Sequence, residues 1–462
     1  MAKKNKRKIN KDNGIKRWLG WITMSLIIPI VLGVITYNLT DTSKSRSSIE
    51  TRLTKAENYI QKGIYIEALS QIVDISKDVS KNQFPTLYAR LKYDEGFCLS
   101  RLPQSKENSL GAIEAFGESL SVLNKVSNPH QYAVSKMELG GAYLGLAQFI
   151  EAHVNIDKAM DSFNEALSLF SNNNSDFQVS ETLGYKAKAR ILAAQYAMKN
   201  NEKSIGEAVD DYLRNAINDI NEAKRLFDPS RNRYLYAGLL RDMGTAYWIW
   251  GSYTNSEENF RSSINSYEEA LEYCSLEIQP MQYASIHTNL GNVYRDDAKI
   301  KNDSLLLKKA QNSYETALKI CRREKNPHDF ILIKYNQAIS YLYLSNITKQ
   351  SDSLTQALDT LNEAQNTIDN VNSPLMNANI QLLKGAIYLR LAKFENDSLN
   401  KDKAYEEFHN ALKIYKLTGD SEKGIMAMGF VLGEITDKLR HPVDNEEVIT
   451  MLHKIISKEQ IK

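Results

Sequence analysis

The stretch PMQYASIHTNLGNVYRDDAKIKNDSLLLKKAQNSYETALKICRREKN, residues 280–326, decides the fold, because the chain repeats its pattern every 47 residues. Pro280, Pro327 and Pro374 recur at that interval, as do Gly291, Ala338 and Gly385, then Tyr294, Tyr341 and Tyr388, then Ala310, Ala357 and Ala404. Four residues past each of those last alanines stands Tyr314, Leu361 or Phe408, followed by Ala317, Ala364 and Ala411. Proline has no backbone N–H to give to a helix interior, and its fixed φ suits a first helical turn, so each proline marks where one helix stops and the next begins. Ala310, Tyr314, Ala317 and Leu318 fall at i, i+4, i+7 and i+8, a single apolar helix face. One helix pair has nothing to bury that face against, whereas a stack of pairs buries a continuous core. The prediction is an all-α chain built as an α-solenoid.

The frame runs backwards with changed spacing. Leu139-Gly140 and Tyr143 lead to Ala159, Phe163 and Ala166; Leu183-Gly184 leads, through an insertion containing NNEKSIGEA, to Ala216 and Ala223; Met243-Gly244 and Tyr247 lead to Ser263, Tyr267 and Ala270. Gly96 with Ala112 and Phe116 makes a weaker unit, and Ala56 to Ile75 a partial one, for about eight in all. In each unit the small residue lets a neighbouring helix come close, and the tyrosine one turn along is expected to fill the space beside it. The turns carry Asp303-Ser304, Asp352-Ser353 and Asp397-Ser398, side chains suited to capping the second helix. Cys274 and Cys321 hold one repeat position, which favours small buried apolar roles for them over a disulfide or a metal site.

Leu139-Gly140-x-x-Tyr143 with Ala159-x-x-x-Phe163, and Leu290-Gly291-x-x-Tyr294 with Ala310-x-x-x-Tyr314, resemble the tetratricopeptide repeat pattern over about Ile49 to Gly419. The units depart from it in length, 47 residues against the family's usual ~34, and Lys136 and His287 stand where the signature has tryptophan. The resemblance implies that the first helices of the units line a groove for an extended or helical peptide. Positions three before, one after and four after the unit glycine then give Arg241, Thr245 and Trp248, and Thr288, Asn292 and Arg295, as partner-binding candidates. The next two units give Tyr335, Ile339 and Leu342, and Leu382, Ala386 and Leu389, which either extend the groove as an apolar end or pack between helices.

Upstream of the repeats, WLGWITMSLIIPIVLGVITY, residues 18–37, has no charged side chain. At ~1.5 Å per residue it covers about 30 Å, the hydrocarbon thickness of a bilayer. Its aromatic residues sit near its ends, Trp18, Trp21 and Tyr37, as in a spanning helix. The polar run after it, TYNLTDTSKSRSS, offers no small-residue cleavage site, so the reading is an uncleaved anchor in preference to a removed signal. Residues 1–17 carry eight Lys and Arg against Asp12 alone, net +7, while the remaining 50 basic and 55 acidic residues are close to balanced. A basic tail suits nucleic acid or anionic lipid, but beside a span its simpler meaning is orientation, with the tail cytoplasmic and the body on the far side. The expected organisation is a tail at 1–17, a transmembrane helix at 18–37, a linker at 38–48, the repeat array at 49–419 and capping helices at 420–462.

No catalytic constellation is present. The seven histidines form no H-E-x-x-H or other metal-ligand spacing, and neither a G-x-S-x-G nor a P-loop occurs. The expectation is therefore no enzyme, no cofactor, no metal and no nucleic acid. It is instead a single-pass, membrane-anchored scaffold that binds a protein or peptide partner outside the cytoplasm and meets lipid through residues 18–37. The alternative is an import receptor whose body faces the cytosol and recognises targeting segments. Sequons at Asn302 and Asn396 share one repeat position, and a turn-forming asparagine accounts for it.

Overall fold

The computed structural model describes residues 43–172, 175–200, 205–230, 232–368, 373–395, 398–419 and 424. The basic tail, the span expected at 18–37 and the capping helices expected in 420–462 lie outside the described residues, Gly424 apart. Among the described residues there is no strand, and no helix is long and apolar enough to cross a membrane.

Sixteen helices are described, and they divide between two compact units, the chain passing from one to the other between Trp250 and Gly251. The first unit holds α1 (Ser43–Gln61) and α2 (Tyr65–Ser76), α3 (Pro85–Arg101) and α4 (Lys106–Leu120), α5 (Pro129–Ala147) and α6 (Ala152–Asn172), and α7 (Asp176–Asn200) and α8 (Ile205–Arg225). Most of α9 (Arg233–Thr254) also belongs to it. The second unit holds α10 (Glu257–Tyr273), then α11 (Pro280–Lys301) and α12 (Ser304–Leu318), α13 (Pro327–Thr348) and α14 (Asp352–Gln365), and α15 (Pro374–Glu395) and α16 (Ser398–Leu417). Proline occupies the first turn of α3, α5, α11, α13 and α15, the place its missing N–H costs nothing.

Within each unit the helices of a pair pack on one another, and second helices such as α2, α4, α6, α12 and α14 pack on the first helix of the pair that follows, which makes each an α-solenoid. The first helices also touch one another, α1 with α3, α3 with α5 and α5 with α7 in the first unit, and α11 with α13 and α13 with α15 in the second. They form the more closely spaced layer, so their free faces are where a groove can lie.

The closeness of the paired helices comes from an exchange of volume. A Cβ built on Gly140 would lie 2.5 Å from the Phe163 ring, and one on Gly291 would lie 2.5 Å from that of Tyr314. Gly96 with Phe116 and Gly385 with Phe408 repeat the arrangement. The ring beside the small residue is thus the aromatic of the second helix, not the tyrosine one turn along the first; Tyr294 instead donates its hydroxyl to Glu268 at 3.3 Å and carries Lys309 over its face. Where the repeat formed by α13 and α14 has Ala338 in place of glycine it has Leu361 in place of the ring, and both are fully buried. Burying such a side chain is worth about 1.5–3 kcal/mol.

Two smaller expectations are corrected. The linker ends early, because α1 already begins at Ser43, helped by an Arg46–Glu50 pair one turn apart at 3.0 Å. Asp303 caps α12 by accepting from the Leu305 N–H at 2.7 Å, but Asp352 is itself the first residue of α14, behind a Ser351 that makes no side-chain cap. The insertion after Gly184 lengthens α7, which reaches 25 residues. Cys274 and Cys321 are buried, each 2% exposed, and neither is in a disulfide; Ile368 holds their position in the next repeat at 6%, as an apolar packing role requires.

Candidate partner-binding cleft

The fourth pair presents an unusual stripe. Glu181, Tyr185, Lys188, Leu192 and Gln195 lie at i, i+4, i+7, i+11 and i+14 of α7, one face of the helix, and none is fully buried. Four of them, Tyr185, Lys188, Leu192 and Gln195, line a cleft of about 550 Å³ in the first unit. The walls come from the end of α3 and the start of α4 (Ser100, Gln104, Asn108), from α5 (Gly141, Gly145, Gln148) and from α9 (Arg241, Asp242, Thr245). Gly141 and Gly145 leave the α5 wall without side chains one turn apart; a Cβ on Gly145 would press on the Ser109 hydroxyl at 3.1 Å.

Charge on the floor is arranged around Asp242, 8% exposed. It accepts from the Arg241 guanidinium at 2.8 Å and lies 3.5 Å from the Lys188 ammonium. Lys188 also rests over the Tyr185 ring, 5.2 Å from its centre. Two cations therefore share one carboxylate. Arg101 of α3 reaches Glu138 of α5 at 3.2 Å and stacks on Phe97 at 4.3 Å. The Glu181 carboxyl of α7 is pushed up to about 7 by burial and then by Glu138, against the opposing pull of Arg101 and Lys188.

The six residues named from sequence separate. Arg241 and Thr245 line the cleft, Thr245 returning its hydroxyl to the Arg241 carbonyl at 3.0 Å. Trp248, one turn further along α9, is half-buried and not part of the lining. In the second unit Thr288 is half-buried and bonds the Ala284 carbonyl at 2.9 Å. Asn292 and Arg295 are 7% and 9% exposed. Asn292 accepts from the Tyr314 hydroxyl at 2.8 Å, and Arg295 donates to Asp296 at 2.8 Å and to Asn292 and Asn336 at 3.3 Å each. The apolar residues further on resolve as packing: Leu342, Leu382, Ala386 and Leu389 are all buried in the cores of their pairs. Glu181, Tyr185 and Lys188 went unnamed, although the same frame applied to Gly184 yields all three, being three before, one after and four after it. Among the described residues no cluster of His, Cys, Asp and Glu could hold a metal ion.

No family model matches the chain, and no curated protein matches it. Solved structures similar in fold include a Rap protein complexed with competence and sporulation factor, at 11% identity over 89% of this chain and 98% of that one, with a TM-score of 0.49. The apo form of RapI is 14% identical over 84% and 98%, with a TM-score of 0.44. The C-terminal part of a TPR repeat-containing protein from Cytophaga hutchinsonii is 12% identical over 67% and 99%, with a TM-score of 0.34. At this distance the function of the cleft has to be read from its own side chains.

Proposed function

We propose that this chain is a membrane-anchored repeat scaffold that holds a segment of a protein partner in the cleft of its first unit. The observation that carries the reading is the cleft floor: a helix face of α7 that is charged, aromatic and polar where a buried helix would be apolar, opposite a wall thinned by Gly141 and Gly145. Extended peptide backbone needs donors and acceptors along its length, and Gln104, Asn108, Gln148 and Gln195 supply both. Arg241 and Thr245 belong to this surface. Of the other candidates, Trp248 and Thr288 keep enough exposure to add contacts at a rim, while Asn292 and Arg295 serve the internal packing of α11.

The anchor is residues 18–37, and the +7 charge of residues 1–17 keeps the tail in the cytoplasm, placing the repeat body outside it. The tetratricopeptide kinship, with its 47-residue units, accounts for the paired helices and the lined groove. The role is binding, with no chemistry assigned to the cleft.

The test is affinity capture with the full chain followed by mass spectrometry, repeated with Arg241→Ala and Tyr185→Ala. A partner retained by the parent and lost from both variants is expected; a partner captured equally by all three removes the cleft from the function. Protease accessibility of a C-terminal tag on intact cells tests the orientation. Cleavage from outside is expected, and protection would favour a cytosol-facing receptor.

A further inference from the structure

The position four before the small residue of each repeat carries the same device three times. Lys92 of α3 meets Glu118 of α4 at 2.8 Å, Lys136 of α5 meets Glu165 of α6 at 2.9 Å, and Lys334 of α13 meets Glu363 of α14 at 2.7 Å. The glutamate stands each time two residues past Phe116, Phe163 or Leu361. Each ammonium thus has a carboxylate across its own helix pair. In α11 the position belongs to His287, and the matching place on α12 to Thr316, whose hydroxyl bonds the Asn312 carbonyl at 2.9 Å. The acid is missing from the repeat in which the base can lose its proton.

The imidazole is also shut away. Nδ1 and Nε2 are both buried, and neither has a hydrogen-bond partner among the described residues. The Tyr283 ring, one turn back on α11, lies against it with centres 4.5 Å apart. Three helices pack on α11, and the charged groups they bring to it are engaged elsewhere. From α10, Glu257 pairs with Lys301 and Glu268 accepts from the Tyr294 hydroxyl; from α12, Lys309 lies over the Tyr294 ring; from α13, Asn336 meets Arg295. None of them acts on His287, whose proton affinity is lowered by burial alone. A neutral ring there forgoes one donor and one acceptor bond, whereas a protonated one brings two N–H donors and a charge that nothing meets.

We propose that His287 is a proton-sensitive lock in the second unit: with the imidazole neutral, α11 and α12 stay closed on one another, and its protonation drives the pair open. The opening is local, because each repeat rests only on its neighbours. It uncovers the face on which Leu290, Val293 and Tyr314 are buried. The same acidification leaves the pairs held by Lys136 and Lys334 closed, since an ammonium is charged already and its glutamate stays ionised.

The direction follows from linkage. Burial holds the imidazole of the closed pair below its ordinary value of about 6.5, so the open pair takes up the proton first. The stability of the closed pair is fully present above about pH 6.5 and is lost as pH falls below it, until the closed form is protonated too.

The test is native-state hydrogen exchange on the full chain in detergent micelles at pH 7.5 and 5.5, corrected for the intrinsic pH dependence of exchange, with an NMR titration of the histidine rings. Protection in α11 and α12 should fall several-fold, up to about tenfold, at the lower pH while α5 and α6 keep theirs. His287→Gln, neutral at both pH values, should show no such loss and identifies the His287 resonance by its disappearance. Thr316→Glu restores the acid of the other repeats; it should raise the titration of the imidazole and remove most of the loss. A parent whose α11 and α12 keep their protection at pH 5.5, or whose His287 titrates at or above about 6.5, overturns the proposal. So does a loss that persists in His287→Gln, or, should that variant not fold, one that Thr316→Glu leaves unchanged.

Discussion

Three residues before its unit glycine, α7 of the first unit carries Glu181, partly exposed and without an ion-pair partner; at the same place in its own unit, α15 carries Leu382, 1% exposed. One after the glycine the pair is Tyr185 and Ala386, and four after it Lys188 and Leu389, cleft-lining residues against buried ones. The backbone frame is common to both, since each helix stands beside an equivalent second helix. What differs is whether the face is closed over by neighbours. A repeat frame therefore fixes where a side chain points within its pair, and the chemistry at that position tells whether anything covers it.

The largest effect follows from that contrast. Leu382→Ala should cost about 2–5 kcal/mol, the range for emptying a packed site, whereas Glu181→Ala, at the matching position, should stay within about 1 kcal/mol. Because a solenoid opens locally, native-state hydrogen exchange is the right measurement, with lost protection confined to α15 and α16 for the first variant. Equal losses would mean that the cleft face is core.

The sequence made this contrast only half readable. Prolines and the Ala310/Tyr314 face announce helix starts and pairing, because each depends on a handful of local residues. The covering of first helices does not show in periodicity. A first helix is packed on several sides, so α5 buries Ala133, Val134, Met137, Glu138, Leu139 and Ala142 within three turns, and no single apolar stripe distinguishes a groove face. The partner of the unit glycine was hidden for a related reason: its ring lies 23 residues away in Gly291–Tyr314, and spacing alone favours the tyrosine nearby. Residues such as Asn292 and Arg295 look like surface chemistry in the sequence, and only their internal partners reveal otherwise.

Volume exchange gives the next effect. Gly291→Ala forces its methyl against Tyr314 and should cost about 1–3 kcal/mol, and Tyr314→Leu in the same chain should recover part of it, as Ala338 and Leu361 coexist naturally. The companion change in the first unit, Gly141→Ala, meets only Tyr185 at 4.0 Å and should be nearly neutral for stability, within about 0.5 kcal/mol, while narrowing the cleft and weakening partner binding. A double-mutant cycle in denaturant checks the first pair. Additive losses there would show that glycine and ring are not coupled.

Arginine separates the units in the same way. Arg295→Ala removes the donor to Asp296, Asn292 and Asn336 and should cost about 1–3 kcal/mol through the acceptors left buried. After Arg241→Ala, Asp242 keeps Lys188 nearby, so stability should change little and partner affinity should fall. Thermal unfolding and binding measured on both variants distinguish them; a stable Arg295→Ala that loses the partner would return α11 to the binding surface.

The smallest effect concerns what the two units share. Glu151, Asn255, Asn302 and Lys349 have φ of 44°, 53°, 55° and 57°, and each stands 11 residues after its unit's small residue, Gly140, Gly244, Gly291 or Ala338. Each thus occupies the left-handed turn between paired helices, where Lys349 donates its N–H to the Ser345 carbonyl at 2.9 Å. A left-handed conformation costs an ordinary L-residue about 1–2 kcal/mol, and asparagine less. Glycine removes that strain but gains freedom in the unfolded chain worth about 0.4–1 kcal/mol, so Glu151→Gly and Lys349→Gly should each stabilise by roughly 0.5–1 kcal/mol, with Asn302→Gly near zero. Differential scanning calorimetry resolves this as a rise of about 1–4 °C. Similar gains at Glu151 and Lys349 would show that the turns are one device in both units, leaving side-chain cover as the difference between them; a gain in one unit alone would mean that their backbones differ as well.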